Sequence, residues 1–288
     1  MRILSRFCAV LAIFLLAGCA TAKPKVDVNK PTSDDGSWFY LDAKDITSGP
    51  HHLNHGKIYG KYVDGYNRTV LEAIDTVQAH AMDGGGYFIG VKAQPPETPV
   101  GYELSLFGNS LLKPPRTTSY CSGSSYTAFI EALNVMYPDG ASRLDPVHAE
   151  ALRMQEPDGG RREDGVKFWG HWNDDGFGNH FALAQYSGMG TVITPEHARP
   201  GDFMNISWKN GNGHSVIFLG WTKNEGGAKG LSFWSSQTST NGYGDVHLPN
   251  LDKVKSVKVV RLTNPDKLFT FDVAASVNRK IPGDTVAP

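Results

Sequence analysis

Cysteine is scarce in this chain: Cys8, Cys19 and Cys121 are the whole complement in 288 residues. Neither sign of charge dominates. Lys and Arg number 28 against 29 Asp and Glu, a net charge of −1, so no global field favours nucleic acid or acidic lipid. No phosphate-loop spacing is present, which leaves nucleotide binding without support. No HExxH-like helix or set of His, Asp and Cys at zinc spacings is present either, so neither metal nor cofactor is expected. Long apolar runs are also missing. The longest, Phe7–Ala17, is about 11 residues, too short to span a bilayer at ~20.

That short run has a different use. Arg2 and Arg6 precede it and Leu16-Ala17-Gly18-Cys19 closes it. This is the layout of a secretory signal, to be set aside from fold reasoning. Its end resembles the bacterial lipobox, which implies cleavage after residue 18 and a lipid on Cys19. With Ala20 next, the resemblance implies a periplasmic protein held at the outer membrane. Residues 19–36 are polar and contain proline, as a flexible tether would be. Cys8 leaves with the signal and Cys19 carries lipid, so Cys121 is the only unmodified thiol of the mature chain and has no intramolecular disulfide partner. Such a leftover cysteine is either a reactive thiol or a small buried hydrophobe.

The remaining roughly 270 residues can bury a substantial core. Tyr66–Met82 places Val70, Ile74, Val77 and Ala81 at helical spacing. "GGGYFIGV" ends that helix and begins a strand, and "GYELSLFG" alternates as a strand. A helix follows Cys121, carrying Phe129, Ile130 and Leu133, until "YPDG" stops it. An insert at about 137–199 holds a helix, "DPVHAEALRMQ", then a Gly- and aromatic-rich run whose tail is a short helix closed by Gly188. "GDFMNISWK", "HSVIFLGWTK", "GLSFWSSQ" and "VKSVKVVRL" then read as strands. Helices followed by antiparallel-type strands give an α+β fold, a single domain over residues 37–288 with an N-terminal extension.

Cys121 stands in "SYCSGSS", at the start of the helix. A helix N-terminus lowers a thiol's pKa through its unpaired N–H groups and dipole, and small neighbours leave those groups open to an oxyanion. A nucleophile of this kind needs an acid/base partner. Of ten histidines, His51, His52 and His55 fall in a loop-like run without adjacent acidic ligands and read as surface loop. His80 and His148 sit in helices with no evident partner, His197 and His247 in polar loops. His171 and His180 flank the aromatic insert. His214 opens a core strand after a glycine turn, where its ring either faces a groove or merely ends the turn.

"YCSGSSYTAFIEAL" followed by "RPGDFMNISW" and "GHSVIFLGW" resembles the NlpC-type, papain-like cell-wall peptidases and their amidase relatives. The matching pieces are Cys121-Ser122-Gly123, Pro200-Gly201-Asp202, and His214 ahead of Val216–Gly220, and they span about 117–263. The resemblance implies a papain-like fold with N-terminal helices packed on an antiparallel sheet or small barrel. It implies Cys121 as nucleophile, His214 as acid/base, and a third polar residue on the next strand: Gln237, with Asn241 and Ser236 as alternatives. Tyr120 stands where many relatives carry Asp, and 93 positions separate Cys121 from His214. Tyr120 and Ser122 flank the nucleophile as substrate contacts. Trp169 and Trp172 are either a cleft wall or a structural loop. Asp174-Asp175-Gly176 resembles a calcium loop only in its first residues.

The function that follows is a monomeric cysteine amidase or peptidase acting on peptidoglycan or peptide. The alternative is a non-catalytic envelope lipoprotein that binds peptide or glycan in the same cleft.

Overall fold

The computed structural model describes residues 32–47, 49–154, 167–174 and 176–286. The signal sequence, Cys19, the tether as far as residue 31 and Asp175 lie outside the described residues. The last part of the expected tether is docked on the domain. Thr32 Oγ1 donates to the Asp64 carbonyl at 2.7 Å, Asp34 pairs with Arg261 and His197, and Asp35 meets Arg199 at 2.7 Å.

Among the described residues three α-helices precede the insert: α1 (His55–Ile58), α2 (Gly65–Ala79) and α3 (Cys121–Met136). Between α2 and α3 lies a hairpin of β1 (Leu104–Leu106) and β2 (Asn109–Leu112). Val70, Leu71, Ile74 and Val77 form the fully buried stripe of α2, packed beside α3. The insert contributes α4 (Gly140–Arg143), α5 (Pro146–Leu152), α6 (Phe168–Trp172), a π-helical segment His180–Tyr186 and an edge strand, β3 (Gly190–Ile193). Asp145 caps α5 by accepting from the N–H groups of Val147 and His148, with Pro146 just inside the helix.

Strands β4 (Phe203–Trp208), β5 (Gly213–Lys223), β6 (Lys229–Gln237), β7 (Gly242–Leu248) and β8 (Val254–Leu262) join β3 in one antiparallel sheet of order β3-β8-β4-β5-β6-β7. The result is mixed α+β with two antiparallel sheets, and the larger one is open rather than closed into a barrel. Both of its faces are covered. Phe203, Ile217, Leu219 and Trp234 point toward the helices, and Met204, Ile206, Val216 and Phe218 toward a second core that Trp38 and Tyr40 help to close. That explains why Val216–Leu219 is a continuous apolar run rather than an alternating one.

"GGGYFIGV" forms no strand. Gly84, Gly85 and Gly86 all take positive φ, and the segment is a loop pinned by single bridges, Gly85 to Gly242 and Tyr87 to Ser119. Among the described residues no helix is long and apolar enough to cross a membrane.

Candidate active site

Tyr120 is extended, and Cys121 is the first residue of α3. The first N–H groups of a helix have no partner within it. Here the ladder begins with Ser124 N–H donating to the Tyr120 carbonyl at 2.8 Å. Small residues around Cys121 seat this helix end on the sheet. Ser125 Oγ meets Ser215 Oγ at 2.7 Å, Ser119 Oγ meets Ser236 Oγ at 2.7 Å, and Ser124 Oγ accepts from the Ser236 N–H at 3.1 Å. Gly123 faces a backbone: a Cβ there would lie 2.3 Å from the Pro99 carbonyl oxygen. The cluster that suggests an open oxyanion site is therefore also a packing seam.

His214 is the second residue of β5, and Gln237 is the last of β6. The strands pair with Ile217 opposite Trp234, and continuing that register brings Gln237 opposite His214. Gln237 Oε1 lies 3.3 Å from His214 Nε2. The amide's orientation is fixed from its other end. Gln237 Nε2 donates to the carbonyls of Ser235 (3.4 Å) and Gly244 (3.3 Å) and contacts Thr240 Oγ1. Oε1 is therefore the atom facing the ring, Nε2 of His214 carries the proton, and Nδ1 keeps the lone pair. Phe233 (5.6 Å, edge-on) and Trp208 (6.4 Å) flank the imidazole. Burial pushes His214 down to about 4, against the opposing pull of the Gln237 bond. Neutral imidazole is thus favoured.

Cys121 and His214 line one cavity of about 10 Å³, bordered by Ser122, Asn173, Asp174 and Gly176. Cys121 is only 5% exposed, so the site is nearly closed. His214, together with Gln237, also lines an open groove of about 810 Å³. His214 borders both.

The remaining predicted site residues divide. Ser122 borders the small cavity, buried, with its Oγ donating to Asn173 Oδ1 at 2.5 Å. Tyr120 lines a separate cavity of about 20 Å³ with Pro99 and Asn173, and its ring stacks on Tyr87. Trp169 and Trp172 are not an exposed stacking wall. They are 2% and 0% exposed and pack on Tyr126, while Trp172 Nε1 donates to Ser125 Oγ. Gly and aromatics in one run serve a cleft or a core equally well, and here they build core. Ser236 is committed to Ser119. Asn241 takes a left-handed turn conformation and donates to the Asp83 carbonyl, away from His214.

The "HHLNH" run is not bare surface loop. His55 is fully buried between two carboxylates, with Nδ1 2.7 Å from Asp75 and Nε2 2.9 Å from Asp245. His52 Nε2 also meets Asp245, at 2.9 Å, and its ring stacks on His55. His52 Nδ1 accepts from the Asn54 N–H at 3.2 Å, so its Nε2 carries a proton, which suits a carboxylate rather than a metal. Burial opposes charge on His55, but Asp245 and then Asp75 override it and raise it to about 9. Asp245 is held at about 2: burial pushes it up, and the His55 charge outweighs that. His148 and His197 also have partners, Asp145 and Asp34, at 2.7 and 2.8 Å.

Asp202, in the Pro-Gly-Asp turn, is a structural lock, a role that its local sequence does not signal. Fully buried, it accepts from Arg261 Nε and Nη2 (both 2.9 Å), Asn67 Nδ2 (2.7 Å) and the Arg199 N–H (2.7 Å).

A scan against family models, a search of curated proteins and a search of solved structures each found no match.

Proposed function

We propose that the protein is a cysteine-dependent amidase or peptidase of papain-like type that cleaves amide bonds of peptidoglycan through an acyl-enzyme. One observation carries this reading: a helix-start thiol, Cys121, and a strand-start histidine, His214, 93 positions apart, line the same cavity, with a fixed glutamine behind the histidine. His214 Nδ1 takes the Cys121 proton as sulfur attacks the carbonyl carbon. The first N–H groups of α3 receive the developing oxyanion. His214 then returns the proton to the departing amine, leaving a thioester that water hydrolyses with His214 as base. Gln237 holds the ring and its tautomer, the role of a triad's third member. No metal or cofactor enters these steps. Lipid on Cys19, with residues 19–31 as tether, would hold the domain at the outer membrane within reach of the wall.

The near-closure of the cavity over Cys121 favours a second reading, a binding module that has kept the catalytic layout. Digestion of purified murein decides between them. Wild type releases fragments with new amino and carboxyl ends, detected by mass spectrometry, and Cys121→Ala and His214→Ala do not. Equal release by all three, or none from wild type, favours the binding module.

A further inference from the structure

The groove beyond His214 has a composition of its own. Trp208, Phe233, Val246 and Leu248 give it apolar walls, and exposed Lys209 and Lys253 stand at its rim beside one carboxylate, Asp252. The two lysines are held near each other because the Lys209 N–H donates to the Lys253 carbonyl at 2.9 Å. His214 belongs to both cavities, whereas Cys121 borders only the small one.

Which part of a substrate occupies this groove follows from the chemistry, and the argument rests on the amidase reading. The acyl carbon must reach the sulfur. The proton that frees the amine comes from the imidazole, so the amine lies on the imidazole's side. Among the described residues, the large space that His214 lines is the 810 Å³ groove, within the size range of ligand pockets.

We propose that this groove is the leaving-group subsite. It takes an amino acid or short peptide with an apolar first side chain, seated against Trp208 and Phe233, and a carboxylate that meets Lys209 and Lys253. The scissile bond would then be one whose amine side is apolar and ends close by in a negative charge.

Binding of the amine product tests this separately from cleavage. The full chain is titrated with the dipeptide Phe-Ala, its C-terminal amide, and Gly-Gly, and the Trp208 indole N–H and His214 ring signals are followed by NMR. Phe-Ala is expected to shift both signals and to bind at least tenfold tighter than either control. The Lys209→Ala/Lys253→Ala double variant, altered only at exposed positions, should bind Phe-Ala and its amide alike. No shift at Trp208, equal binding of acid and amide to wild type, or an unchanged preference in the double variant would overturn the proposal. If Phe-Ala binds as described and murein is nevertheless left intact, the amidase reading fails and the subsite stands. Cysteine-dependent murein cleavage without carboxylate preference has the reverse meaning.

Discussion

The Gln237 side chain and the His214 ring meet across neighbouring strands at 3.3 Å, and three further contacts of the glutamine amide nitrogen decide which of its atoms faces the ring. Removing the amide should therefore loosen the imidazole without moving it out of the site. In Gln237→Ala, amide-cleaving kcat is expected to fall roughly 10- to 100-fold. His214→Ala should lose about 10²–10⁴-fold, the usual worth of a general acid–base group. Steady-state kinetics with unchanged circular dichroism checks the order of the two losses.

The same contact sets a titration. A neutral amide adds little to hold a charge on a ring that burial pushes down to about 4. The His214 Cε1–H signal should stay in its neutral position from pH 8 to below pH 6 and move only as pH approaches 4. Gln237→Glu places a carboxylate against the ring and should raise that midpoint by about one unit or more. A wild-type midpoint near 6.5 would contradict this assignment.

The buried Asp245–His55 pair predicts a stability plateau. Asp245 is depressed to about 2 from an ordinary 3.8, so its contribution is present above 3.8 and is lost as pH falls toward 2. His55 is raised to about 9 from 6.5, so its contribution is complete below 6.5 and is lost as pH rises through 9. Urea midpoints should be highest between those limits. Asp245→Asn should cost up to about 3–5 kcal/mol, because His55 is left buried with Asp75 as its remaining carboxylate. The loss should be greatest on the plateau.

Asp202 serves four donors in a fully buried position, and they come from Arg261, Asn67 and Arg199 rather than from His214. Asp202→Ala should destabilise by about 3–5 kcal/mol because Arg261 is left buried with less countercharge. Whatever protein remains folded should keep its kcat. Loss of kcat at full stability would assign Asp202 a chemical role instead.

How much of this was readable beforehand varies element by element. The α3 start at Cys121, the strands β4, β5, β6 and β8, and Gln237 at a strand end came from local signals: helical spacing, apolar runs and glycine turns. The β7 strand was missed because "GYGDVHL" is short and glycine-rich. The environment of His55 was out of reach because its carboxylates lie 20 and 190 positions away, and only folding brings them together. Trp169 and Trp172 were ambiguous for another reason. An aromatic side chain reads the same whether it faces a sugar or Tyr126. Gly123 shows a similar overlap. The glycine that suggests open backbone for catalysis is also the only residue that fits under the Pro99 carbonyl.

The most direct test concerns the proton exchanged between Cys121 and His214. Alkylation of Cys121 by iodoacetamide, quantified by peptide mapping across pH 5–9, measures it. If the neutral ring takes the thiol's proton in the step in which the sulfur attacks, wild type should react at pH 6, where both groups rest neutral, at least tenfold faster than His214→Ala, whose rate should rise only toward alkaline pH. Identical pH profiles for the two proteins would mean the sulfur and the imidazole do not communicate, and the enzymatic account would fail.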